Sequence, residues 1–173
     1  MKMVLHIIVL IFEVLYYSMF MKFAKNEGKF WKYLLLFSLI TIVMIFIGTN
    51  TLYTYLIFVL LALYGLKYIV KVKTSLYDMF IIVIMLILKL IIELIIMIAF
   101  YKLFSFNQFA STMIFNFVKI VFLLIFKNKI YKFSIKFKKL WDNNNFYVRY
   151  IFTIGVYIYV IISIISAFWL IVI

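Results

Sequence analysis

Glu13, Lys89, Glu93 and Lys119 each interrupt a run built almost wholly of Ile, Leu, Val, Met and aromatic residues. Lys89 and Glu93 fall in ILKLIIELII, residues 87 to 96, four apart and therefore on one helix face. Carboxylates and ammonium groups in such surroundings have two uses. They pair with one another as a clamp that fixes which helices touch, or they line a ligand pocket whose pairing changes on binding. Asn116 stands three residues before Lys119, so Glu13, Lys89, Glu93, Asn116 and Lys119 make up the candidate polar cluster. Both uses stay open at the level of sequence.

Other chemistries are poorly supplied. The chain has no Cys, which removes disulfides, thiolate metal sites and cysteine nucleophiles. One His, His6, and five scattered acidic residues are too few for a metal cluster or a catalytic constellation. No metal or cofactor is expected, and the chain is not expected to be an enzyme on its own. His6 reads as an interfacial or packing residue rather than a proton relay.

The elements that must position these charges follow from composition. A chain that is 70% hydrophobic and 22% aromatic exceeds what a water-soluble core of 173 residues can hide. An all-α, polytopic integral membrane helix bundle is expected, with residues 1–173 as a single transmembrane domain. A hydrocarbon core about 30 Å thick needs roughly 20 apolar residues per helix. Runs of that size near 3–21, 31–48, 52–70, 79–101, 108–126 and 148–171 predict about six spans. In lipid every backbone amide needs a partner within the protein, so these runs are read as helices despite their Ile and Val content. Alternating segments of about ten residues, the mark of a membrane barrel, do not occur. The first run lacks a small-residue cleavage site and is read as a retained span.

The net charge of +13 is topological rather than a nucleic-acid footprint, because most lysines lie between the apolar runs. Lys22, Lys25, Lys29 and Lys32 follow span one, and Lys67, Lys71 and Lys73 follow span three. Lys127, Lys129, Lys132, Lys136, Lys138 and Lys139 follow span five. Only Lys2 and Lys102 fall on the other side. Loops rich in Lys stay in the cytoplasm, so a multi-pass protein of the cell membrane with both termini extracytoplasmic is expected. The stretch NKIYKFSIKFKKLWDNNN, residues 128 to 145, alternates bulky apolar residues with Lys. It is predicted to be an interfacial segment lying on the anionic inner leaflet.

This topology puts Glu13, Lys89, Glu93 and Lys119 at one depth, near the midplane. Two charges in span four cost about 5 to 7 kcal/mol on insertion, against about 5 to 10 returned by its apolar residues. Partners within the protein are therefore expected, and two cations with two anions make a neutral set. Gln108, Thr112, Asn116 and Lys119 fall within an arc of about 80° on a helix. His6, Glu13 and Tyr17 recur at spacings of seven and four. In span six, Gly155, Tyr159, Ser163 and Ser166 make a stripe suited to close helix packing.

Four stretches carry a family resemblance over essentially the whole chain. They are the basic first loop MKFAKNEGKFWK, the sequence LKYIVKVKTSLYDMFIIVIM leading from span three into span four, the embedded acid of LIIELI, and the Lys-rich segment before span six. YIVKVK is the most specific. In these the chain resembles the membrane sensor region of accessory-gene-regulator-type peptide-pheromone sensor histidine kinases, whose cytoplasmic end is a GHKL-type ATPase. The resemblance implies an outward N-terminus and reception of a small secreted peptide by the outer half of the bundle. It also implies that the signal passes to a cytoplasmic dimer; the partners expected of this module are a second copy of itself or a full-length sensor kinase, paired through its helices. The seventh span, coiled-coil linker, phosphoacceptor His and ATP-binding motifs of that family are missing from these 173 residues, so a receptor-like module truncated before the kinase is expected. The membrane protease of the same systems resembles a Cys and His enzyme, and this chain has no Cys. The alternatives are a small-molecule transporter subunit, such as the substrate-binding membrane component of a vitamin-uptake system, or a structural membrane protein. A chain with only four Gly supplies little of the small-residue docking surface the transporter reading needs.

Overall fold

A computed structural model describes residues 2–47, 52–99 and 108–142, together with Tyr150, Ile154 and Gly155. The described residues are almost wholly helical. The helices are α1 (Lys2–Lys25), α2 (Phe30–Ile47), α3 (Leu52–Gly65), α4 (Leu76–Ala99) and α5 (Gln108–Asp142). The first four coincide closely with the first four apolar runs.

Local chemistry explains the ends. Asn26 adopts a left-handed conformation with φ 50°, and its amide donates to the Lys22 carbonyl at 2.9 Å, closing α1. Gly28, φ 68°, follows at a point where a Cβ would come within 2.8 Å of Val70 Cγ1. The turn is pressed against the far end of α3 and leaves no room for a side chain. α3 ends in a wider π-type turn, Leu66–Val70, stopped by Lys71 at φ 61°. The amides of Lys71 and Val72 both donate to the Leu66 carbonyl. Ser75 and Asp78 start α4: the Ser75 amide donates to Asp78 Oδ2 at 2.7 Å, one half of a capping box.

Contacts set the directions. Glu13 meets Lys89, the Tyr16 hydroxyl donates to the Met85 carbonyl and Lys25 meets Asp78, so α1 and α4 run antiparallel. Glu13 meets Lys119 and Phe23 meets Lys127, so α1 and α5 run parallel. α2 and α3 close the other side of α1, where the Tyr17 ring lies 5.7 Å from Phe37 and 5.0 Å from Phe58. Gly65 lets α3 approach α2: a Cβ there would fall 1.8 Å from Leu36 Cδ1. The core runs through Tyr16, Met21, Tyr33, Leu36, Phe37, Ile82, Met85 and Leu123, all fully or almost fully buried.

Among the described residues three helical stretches, His6–Lys25, Phe30–Ile47 and Tyr77–Ile96, are long and apolar enough to cross a membrane, and a shorter apolar one covers Ile57–Val70. The surface suits lipid. Phe46 is 86% exposed and Ile98 and Ile125 are each 71% exposed, with many other large apolar residues beside them, far more than a water-facing surface carries. The expected sixth run, 148–171, lies outside the described residues apart from Tyr150, Ile154 and Gly155. Its polar residues Tyr159, Ser163 and Ser166 also lie outside them.

The expected fifth run, 108–126, and residues 128–142 of the basic stretch after it lie on one helix: α5 runs from Gln108 to Asp142 over 35 residues. At 1.5 Å per residue it is about 52 Å long, well beyond a hydrocarbon core of about 30 Å. The physical reason is that Ile130, Ser134, Phe137 and Trp141 recur at spacings of four, three and four, a helical stripe rather than a strict alternation. That stripe packs on the start of α4. The Tyr77 hydroxyl donates to the Ser134 carbonyl at 2.5 Å, and its ring lies 5.6 Å from Phe137. Phe80 and Trp141 rings stand 4.5 Å apart.

Candidate functional site

α1 contributes Glu13, α4 contributes Lys89 and Glu93, and α5 contributes Lys119. Their side chains close a ring. Lys89 Nζ lies 2.5 Å from Glu13 Oε2 and 3.9 Å from Glu93 Oε1. Lys119 Nζ lies 3.1 Å from Glu13 Oε1 and 2.9 Å from Glu93 Oε1. Each carboxylate thus bridges two ammonium groups, and the four charges sum to zero. Lys89 also donates to the Tyr17 hydroxyl at 3.0 Å. Lys89 lies 5.4 Å from the Tyr17 ring centre, and Lys119 lies 5.3 Å from that of Phe115, distances at which ring faces stabilise cations.

The ring is unequally buried. The Lys119 side chain is 3% exposed, whereas Glu13, Lys89 and Glu93 keep between 15 and 24%. A closed set of this kind adds little to stability relative to an apolar core, but removing one member leaves an uncompensated buried charge and costs about 3 to 5 kcal/mol. Asn116 is buried one turn before Lys119. The side chains of Gln108 and Thr112, on the same expected face, lie outside the described residues. His6 is exposed on α1, away from the ring.

The three less buried members face a cleft or the bundle surface, and for two of them the cleft is explicit. A cavity of about 270 Å³ is lined by Glu13, Tyr17 and Lys89, with Val9, Leu10 and Leu86 beside them. Thr41, Met44 and Ile45 of α2 and Phe58 of α3 complete its lining. It lies in the half of the bundle away from the basic end. That volume is near the lower bound of pockets that bury small ligands, about 300 to 1,000 Å³. Its chemistry is an apolar cup with an ion pair, a phenol and a hydroxyl in reach.

The basic residues gather at the other end. Lys22, Lys25, Lys67, Lys71 and Lys73 sit at the end of α1, the π-type turn and the connection to α4, which Lys25 ties together by donating to the Lys73 carbonyl at 3.1 Å. Lys127 lies 5.6 Å from the centre of the Phe23 ring, and Lys129 lies 5.2 Å from that of Phe126. Lys132, Lys136, Lys138 and Lys139 are exposed along the last turns of α5.

Sequence reasoning does not single out one further polar link. Asp78 is fully buried and pairs with Lys25 at 2.6 Å, pinning the end of α1 to the start of α4. A signal for it exists: Ser75 and Asp78 match the spacing of a capping box ahead of an apolar run. Tyr77 and Ser134, buried against one another, carry no comparable local signature. Among the described residues no three His, Cys, Asp or Glu side chains converge as a metal site.

Comparison with protein-family models, curated proteins and solved structures finds no match to this chain.

Proposed function

We propose that the chain is a receptor-like membrane module that binds a small amphipathic ligand, in the first instance a short apolar peptide, in the cleft beside the charge ring. In this reading six helices span the cell membrane, the lysine-rich ends face the cytoplasm, and both termini face outward. The cleft then lies in the outer half, open to a ligand arriving from outside or along the lipid. The module acts by binding rather than catalysis.

One observation carries the proposal. Glu13 and Lys89 are at once members of the ring and lining residues of the cleft. A ligand carboxylate or amide entering there competes with Glu13 for Lys89. Any shift in that pair reaches α5, because Glu13 also holds Lys119. Four charges on three helices thus couple occupancy of the cleft to the packing of α1, α4 and α5. The resemblance to peptide-sensing membrane regions supports the same role.

The chain contains no Cys, so a Thr41→Cys variant carries a unique thiol in the cleft. Reconstituted in phosphatidylcholine vesicles, it is exposed to a maleimide together with a panel of short synthetic peptides bearing apolar side chains and a free carboxylate. Saturable protection of this thiol, lost when Leu10→Trp fills the cleft, supports the proposal. Labelling that no peptide slows, or protection that survives Leu10→Trp, defeats it.

A further inference from the structure

A second cavity, unrelated to the ring, opens at the basic end between α1 and α5. It measures about 320 Å³ and is lined by Lys22, Phe23, Asn26, Lys127, Asn128 and Tyr131. Two ammonium groups, two carboxamides and a phenol line this space, and among the described residues no carboxylate does. Lys25 next door is neutralised by Asp78. Among the described residues neither Lys22 nor Lys127 has a carboxylate partner within ion-pair distance.

Lys22 is held in place. Its Nζ donates to the main-chain carbonyls of Gly28 at 2.9 Å and Glu27 at 3.4 Å, which leaves one of the three ammonium hydrogens for a further acceptor. Lys127 is seated against the Phe23 ring. Two cations, one at the end of α1 and one on α5, lining one cavity together with neutral donors, make a receptor for an oxyanion with several acceptor atoms. The Phe23 and Tyr131 rings add an apolar side to the cavity. We propose that this cavity binds a phosphate group, carried by an anionic phospholipid or free in solution. The inference does not rest on the proposed ligand cleft.

The test titrates the full chain in detergent micelles with dihexanoyl phosphatidylglycerol, dihexanoyl phosphatidylcholine or inorganic phosphate, followed by calorimetry. Saturable binding of the phosphatidylglycerol is expected. Lys22→Met and Lys127→Met should each weaken it about tenfold or more, as loss of one charge-assisted hydrogen bond implies. Asn128→Asp, an exposed change that sets a carboxylate in the cavity, should abolish it without disturbing the fold. Lys136→Met, nine residues along α5, should leave it unchanged. Inorganic phosphate that binds and competes marks free phosphate as the source. Phosphatidylglycerol binding that phosphate does not displace marks the lipid. No saturable binding of either, or equal loss with Lys136→Met and Lys127→Met, overturns the proposal, since the second result means a diffuse basic surface.

Discussion

Lys89 and Glu93 share one face of α4, yet the 3.9 Å between them is the longest contact in the charge ring. Each is held more closely from another helix: Lys89 by Glu13 at 2.5 Å, and Glu93 by Lys119 at 2.9 Å. The pair adjacent in sequence is therefore the weakest link, and the strong links join α4 to α1 and α5. Such a ring adds little net stability, because ions paired away from water recover little beyond their desolvation cost.

Removing one member should expose that arrangement. Glu93→Leu leaves Lys119 with half its compensation and should lower unfolding stability by about 3 kcal/mol. Glu27→Leu, on the exposed turn after α1, should change it little. Thermal unfolding in a mild detergent compares the two, and equal losses would sink the claim.

Charge reversal provides a sharper check. Lys119→Glu with Glu93→Lys restores their own pair, but it sets a second carboxylate against Glu13 and a second ammonium against Lys89. Rescue by this double reversal should be partial. Reversing Glu13, Lys89, Glu93 and Lys119 together restores every contact in the ring and should recover more stability. A double reversal that rescues completely would show that Glu13 does not share Lys119.

The link between α1 and α4 should respond in steps. Asp78→Asn forfeits the ion pair with Lys25 but keeps an oxygen for the Ser75 amide, whereas Asp78→Ala loses both. The alanine variant should be less stable than the asparagine variant by about 1 kcal/mol, the usual worth of a helix cap. Indistinguishable unfolding midpoints would remove the cap from the account.

Continuity of α5 is open to cross-linking in a background free of cysteine. Phe80→Cys with Trp141→Cys should be bridged readily by a short bis-maleimide, since the native rings stand 4.5 Å apart. Phe80→Cys with Lys138→Cys should react poorly, because Lys138 is exposed on another face of the helix. Similar yields from both pairs would mean that the end of α5 does not pack on α4.

Much of this molecule is written in local pattern. Run length and apolar content mark α1 to α4 because a helix in hydrocarbon must satisfy its own amides and bury no charge without a partner. The same counting along each span puts Glu13, Lys89, Glu93 and Lys119 at a similar distance from the helix ends. It does not show that the helix runs on through residues 128–142, where lysines between bulky residues look like alternation while Ile130, Ser134, Phe137 and Trp141 keep helical spacing.

What only tertiary structure decided is which partner each charge takes. Helix rotation brings Lys119 to both carboxylates, sets Lys25 on Asp78 across 53 positions of sequence, and leaves Glu13 and Lys89 bordering a cleft shared with α2 and α3. Apolar periodicity records how deep a residue lies along its own helix, a property of neighbouring residues. The direction in which its side chain meets another helix depends on packing between segments remote in sequence, and that is settled only when the helices close on one another.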